Sequence, residues 1–162
     1  MPLLRSFLAL TPLQRRVLVK ASALLTFVQL GLGRLPFTFL RRSITPVASG
    51  TSRTGSHARQ YAETVAWAVS AASRRVPGRS TCLSRALTVQ ALLARAGCAS
   101  RLQVGVMRGA QGAVEGHAWV EYEDGILIGG TAEEIAQFSR LAAFDVEAAL
   151  RLSALVTPPG GR

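Results

Sequence analysis

The chain is almost without lysine. Lys20 is the only one, and the other 18 of its 19 basic residues are arginine. Acids are also scarce, nine in all, which leaves a formal net charge of +10. An excess of this sign favours acidic partners. Yet the arginines occur singly or as the doublets Arg15-Arg16, Arg41-Arg42 and Arg74-Arg75, with no basic run and no nucleic-acid motif around them. Solvated helix faces are therefore expected, and no nucleic-acid partner. Long apolar runs are missing too. The uncharged stretch Ala21–Gly33 has 13 residues, short of the roughly 18 that a spanning helix needs. No small-residue cleavage site follows it, so neither a transmembrane segment nor a signal peptide is expected, and the expected location is the cytoplasm.

Cysteine and histidine are just as sparse, two of each. Cys82 and Cys98 flank a segment that reads as one helix. Sixteen residues at the helical rise would set them roughly 24 Å apart, whereas a disulfide needs Cα atoms within about 7 Å. They are expected neither to pair nor to share a zinc ion, and no second histidine lies at ligand spacing. Neither a metal nor a cofactor is expected.

Hydrophobic residues make up 49% of the 162 residues and charged residues 17%, which is a globular composition with few aromatics, at 6%. Residues 11–33 read as a long helix, with Thr11 as cap, Pro12 in the first turn, and Leu13, Val17, Leu24, Leu25, Val28 and Leu32 on one stripe. Val19, Phe27 and Leu30 fall off that stripe. A short apolar piece, 35–40, ends at Arg41-Arg42. Residues 43–56 are rich in Ser, Thr, Gly and Pro and read as a loop. A helix over 56–75 carries Tyr61, Val65, Ala68, Val69, Ala72 and Val76 inward, until Pro77-Gly78 breaks it.

The segment 81–96 is a third helix, capped by Ser80 or Thr81 and ended by Gly97. The period then changes to two. Leu102, Val104 and Val106 mark one strand, 114–122 a second, and Asp124-Gly125 a hairpin returning through 126–128. Two helical pieces are expected over 131–152. The order implies an α+β fold, with a helix bearing Cys82 packed on a small antiparallel sheet bearing His117. The expected divisions are an N-terminal helical docking element (1–45), a linker (46–55), a catalytic core (56–155) and a disordered tail (156–162).

Cys82 lies in the first turn of its helix, where the partial positive charge of the helix end favours a thiolate, and Arg79 and Arg85 are near in sequence. Cys98 follows the other end. His117 shares a strand face with Trp119 and Glu121, while Ala118, Val120 and Tyr122 point the other way. His57 lies beside the linker, which leaves His117 as the partner for Cys82. A helix-opening cysteine beside a strand imidazole suits nucleophilic catalysis: the imidazole takes the thiol proton and returns it to the leaving amine. Trp119 is expected to fill core.

The segments CLSRALTVQALLARAGCASRLQVGV and GHAWVEYEDG resemble the core of the transglutaminase-like superfamily. Within it, the arginine-rich apolar N-terminal helix, LPF at 35–37 and ILIGG at 126–130 resemble the stand-alone leader peptidases of lasso-peptide biosynthesis, the B2 proteins. That resemblance implies a cysteine protease acting on a precursor peptide. It also implies two partners, a separate leader-recognition protein and an ATP-dependent macrolactam synthetase. Alternatives are acyl transfer to an amine or a catalytically dead scaffold. One departure stands out. The superfamily's triad ends in an Asp on the strand after the His strand, but folding the hairpin sets Gly129, Gly130 or Thr131 opposite His117. Glu121 is roughly 13 Å along the strand, and Asp124 is farther. Glu133, Glu134, Asp145, a backbone carbonyl or a water remain to orient the imidazole.

Overall fold

The computed structural model describes residues 9–44, 53–76, 80–109 and 112–141. Helix α1 runs over Pro12–Leu32. It opens on a capping box: the Thr11 hydroxyl accepts from the Gln14 N–H at 3.2 Å, and the Gln14 side chain accepts from the Thr11 N–H at 2.9 Å. Two orphan donors of the first turn are thereby satisfied at once. Helix α2 covers Phe37–Ile44. The apolar piece thus continues past Arg41-Arg42 rather than ending there, and Ile44 is buried in the common core.

Helices α3 (Ser56–Ser73) and α4 (Cys82–Arg95) complete the helical layer. The inner face of α3 is largely alanine: Ala58, Ala62, Ala68 and Ala72 are buried there alongside Val65 and Val69. Such small side chains let α1 and α4 approach it closely. Buried residues of α1 (Val17, Leu25, Val28), of α2 (Leu40, Ile44) and of α4 (Leu87, Leu93) join one cluster with Ala118 and Val120 of the sheet. The N-terminal helices and the Cys82-bearing helix therefore share one core. Each fully buried Leu or Val there contributes about 1.5–3 kcal/mol. Leu13, expected on the inner stripe of α1, is instead about half exposed, because that helix buries only from Val17 onward.

The sheet has four antiparallel strands in the order β3-β2-β1-β4. Strands β1 (Arg101–Arg108) and β2 (Val114–Tyr122) pair along their whole length, with Val104 opposite Ala118 and Gly105 opposite His117. Strand β3 (Gly125–Ile128) returns from a tight turn in which Glu123 takes a positive φ of 51°. The helical layer covers the face bearing Ala118, Val120 and Tyr122.

Beyond β3 the chain departs from expectation. One helical turn, α5 (Ala132–Ile135), is capped by Thr131, and residues 136–138 then turn into the short strand β4 (Ser139–Arg140) beside β1. Of the two helical pieces expected over 131–152, the stretch 136–141 is thus corrected to a turn and an edge strand, and 142–152 lies outside the described residues. Helical propensity around Ala136 and Gln137 yields to pairing of Arg140 with Gly105 and to the bond from the Leu141 N–H to the Val104 carbonyl at 2.8 Å. The expected linker falls mostly, and the expected tail wholly, outside the described residues. So do Arg79 and Asp145.

Candidate active site

Cys82 is the first residue of α4 and is half-buried against the core. Thr81 caps the helix, its hydroxyl accepting from the Ser84 N–H at 3.1 Å, and the Thr81 carbonyl accepts from the Arg85 N–H at 3.2 Å. The N–H groups of Cys82 and Leu83 belong to the first turn and have no partner within the helix. No acidic side chain sits in that turn. The helix packs directly on β2, on the face that carries Ala118 and Val120. His117 belongs to the other face, and no hydrogen bond joins Cys82 to His117 among the described residues.

His117 is half-buried on the sheet face away from the core, where alternation sets it with Trp119. Its Nε2 is hydrogen-bonded to the carbonyl oxygen of Gly129. A carbonyl only accepts, so Nε2 carries the hydrogen and, in the neutral ring, Nδ1 is left as the basic lone pair. Gly129 follows β3 and has a φ of +118°. A Cβ there would collide with the Cβ of Trp119, so only glycine brings its carbonyl under the imidazole. Of the three positions expected opposite His117, the structure selects the first, and its main chain does the orienting.

Aromatic rings hold the imidazole from two sides. Phe138 lies 5.1 Å from its centroid at an interplanar angle of 30°, and Trp119 lies 6.3 Å away at 20°. Trp119 is fully buried. Its Nε1 donates to Glu121 Oε1 at 3.1 Å, and the Arg140 guanidinium stands 5.8 Å from its ring centroid. The Glu121 carboxylate also takes Arg140 at 2.8 Å and Gln103 Nε2 at 3.4 Å. Glu121 thus serves Trp119 and β4 rather than His117. Glu134 is likewise committed, accepting from the Thr131 N–H at 2.8 Å. Phe138 and Arg140 escaped the sequence reading because they sit in the segment read as helix. Only the bulk of Phe138 among small and polar neighbours hinted at a packing role.

Cys98 is placed quite differently. It is buried just past the C-terminal end of α4, and burial pushes its thiol up, against a lowering influence of the Arg53 guanidinium. Both cysteines are free thiols. Among the described residues no three His, Cys, Asp or Glu side chains converge on a common point that could hold a metal ion. No described helix is long and apolar enough to cross a membrane.

A family model described as the transglutaminase-like superfamily matches residues 22–143, a span that opens inside α1, ends just past β4 and includes Cys82, His117 and Gly129. The chain belongs to that superfamily, which includes cysteine peptidases and acyltransferases. No curated protein and no solved structure matches it.

Proposed function

We propose that the chain is a cysteine peptidase that removes the leader from a lasso-peptide precursor, with Cys82 as nucleophile and His117 as base. The observation that carries the reading is the tie between His117 Nε2 and the Gly129 carbonyl, which leaves Nδ1 as the basic nitrogen of the ring. The Cys82 helix packs on the opposite face of the same strand, so the thiol has to meet Nδ1 past the strand rather than across the shared core. Nδ1 takes the thiol proton as Sγ attacks the scissile carbonyl carbon. The oxyanion that forms is met by the unpaired N–H groups at the start of α4. Collapse breaks the C–N bond, the imidazolium gives its proton to the departing amine, and a thioester remains. Water, deprotonated by the same nitrogen, then releases the acid and restores the thiol.

The lasso assignment is supported by the N-terminal pattern and the ILIGG segment, which resemble the leader peptidases. With a separate leader-recognition protein supplying specificity, the chain itself needs only a cleavage groove. Acyl transfer shares the thioester and differs only in the nucleophile that resolves it. Mass analysis of a purified precursor incubated with the chain and the leader-recognition protein separates the two. Hydrolysis yields leader and core whose masses sum to the precursor plus one water. A product joined to an added amine, with no free acid, would replace the peptidase reading by the transferase one.

A further inference from the structure

Helix α1 carries two apolar stripes. One, through Val17, Ala21, Leu25 and Val28, is buried. The other runs through Val19, Ala23, Phe27 and Leu30, spaced i, i+4, i+8 and i+11, and it is exposed; Val19, Phe27 and Leu30 keep 58%, 50% and 55% of their surface in contact with solvent. Beside this stripe opens a groove of about 620 Å³ between α1, α2, α3 and α4. Leu24, Phe27, Ile44 and Leu92 give it an apolar lining, and Lys20 and Arg95 stand on it as cations. Among the described residues neither cation makes an ion pair. The sequence that builds α1 and α2 has one sign: the first 62 residues hold nine basic residues and no acidic one, and Glu63, the first acid, is paired with Arg59.

We propose that this groove and the second stripe of α1 together receive an acidic, apolar segment of a partner polypeptide. Charge complementarity fixes the sign: apolar side chains would fill the groove while carboxylates face Lys20 and Arg95. Extent favours a polypeptide, since a small ligand confined to the groove would leave Val19 and Leu30 uncovered, whereas an amphipathic segment covers both. Concavity argues against a flat membrane surface as the occupant. The site lies at the C-terminal end of α4, about 20 Å of helix from Cys82. Binding there can therefore be read independently of the proposed peptidase activity.

The test uses the full-length chain with fluorescent synthetic peptides and measures anisotropy at low and moderate salt. One peptide presents a Leu/Phe stripe flanked by glutamates, and its counterpart carries lysines in their place. The glutamate peptide should bind and the lysine peptide should not. The double substitution Lys20→Glu with Arg95→Glu should weaken binding about 10-fold or more, as should Phe27→Ser, while Arg108→Glu on β1 leaves it unchanged. All of these positions are solvent-exposed or at the groove rim, and circular dichroism checks that each variant folds. Absence of binding, equal binding of both peptides, or indifference to the Lys20/Arg95 pair overturns the proposal. Sedimentation with phosphatidylglycerol vesicles in place of peptide binding would make a membrane the occupant and overturn it equally.

Discussion

The imidazole of His117 hangs from the main-chain carbonyl of Gly129, not from a side-chain acid. A carbonyl orients the ring and fixes its tautomer, but it carries no net charge with which to stabilise an imidazolium. Replacing Gly129 by alanine both strains a φ of +118° and drives a methyl into Trp119. Gly129→Ala should destabilise the fold by about 3 kcal/mol. At temperatures where the variant remains folded, it should cut turnover more than it raises KM. Urea melts paired with steady-state kinetics measure both, and unchanged turnover would remove Gly129 from the site.

Cys82→Ala is expected to abolish cleavage and leave the fold intact, because the side chain is half-buried at a helix end rather than deep in the core. Removing His117 should be as damaging, and the double variant no worse than either, since groups acting as a unit are not additive. Cys98→Ala should retain activity. Equal losses from both cysteine substitutions would refute the assignment.

Cys98, Tyr61 and Tyr122 all have ionisations raised, in each case chiefly by burial. A group whose proton is held more tightly in the folded state contributes full stability below its unfolded pKa and loses it as pH rises through the folded one. Stability should therefore be level around neutrality and fall above about pH 9, where exposed thiols and then phenols begin to ionise. Denaturant midpoints at neutral and alkaline pH test the slope. Cys98→Ala should flatten its early part, and a midpoint that climbs with pH would contradict the sign.

Glu121 joins Trp119, Arg140 and Gln103, so Glu121→Ala should loosen β4 and the Phe138 ring as well as losing contacts of its own. Arg140 is more than half exposed, and that pair alone contributes little. The buried indole N–H left without an acceptor accounts for most of an expected 1–2 kcal/mol, roughly. Near-ultraviolet circular dichroism of the indole and the denaturant midpoint should change together. An unaltered spectrum would mean that the carboxylate does not fix the ring.

If a separate protein holds the leader, tethering raises the local concentration of the cleavage site to about the millimolar range and gains about 10²- to 10⁴-fold. Precursor should be processed slowly by the chain alone and much faster with the leader-binding protein, mainly at low precursor concentration. Full speed unaided would point to a self-sufficient peptidase.

Helices α1, α3 and α4 and the β1–β2–β3 meander were legible in the sequence because each is set by local signals. Thr11 and Pro12, Thr81 and Gly97, and Asp124-Gly125 mark their ends. What followed β3 was not. Residues 136–141 have helical propensity but are held by pairing with β1, a contact between positions about thirty-five apart that no local pattern encodes. The same fact hid Phe138 and Arg140, whose roles depend on that pairing. At the site, hairpin counting set Gly129, Gly130 or Thr131 opposite His117 and left the group that orients it open among a backbone carbonyl, a water, Glu133, Glu134 and Asp145. Choosing the Gly129 carbonyl required the course of the main chain beyond Ile128, which glycine leaves open.

The scarcity of lysine has a practical consequence now that Lys20 is placed. Its ammonium lines the groove of α1 and is the only side-chain amine in the chain. Apart from the α-amino group, an amine-directed ester or cross-linker has a single address, and that address is the surface on which a partner is expected. One acylation event, resolved by peptide mapping and compared with and without a candidate partner, therefore reports occupancy of this surface without any engineered label.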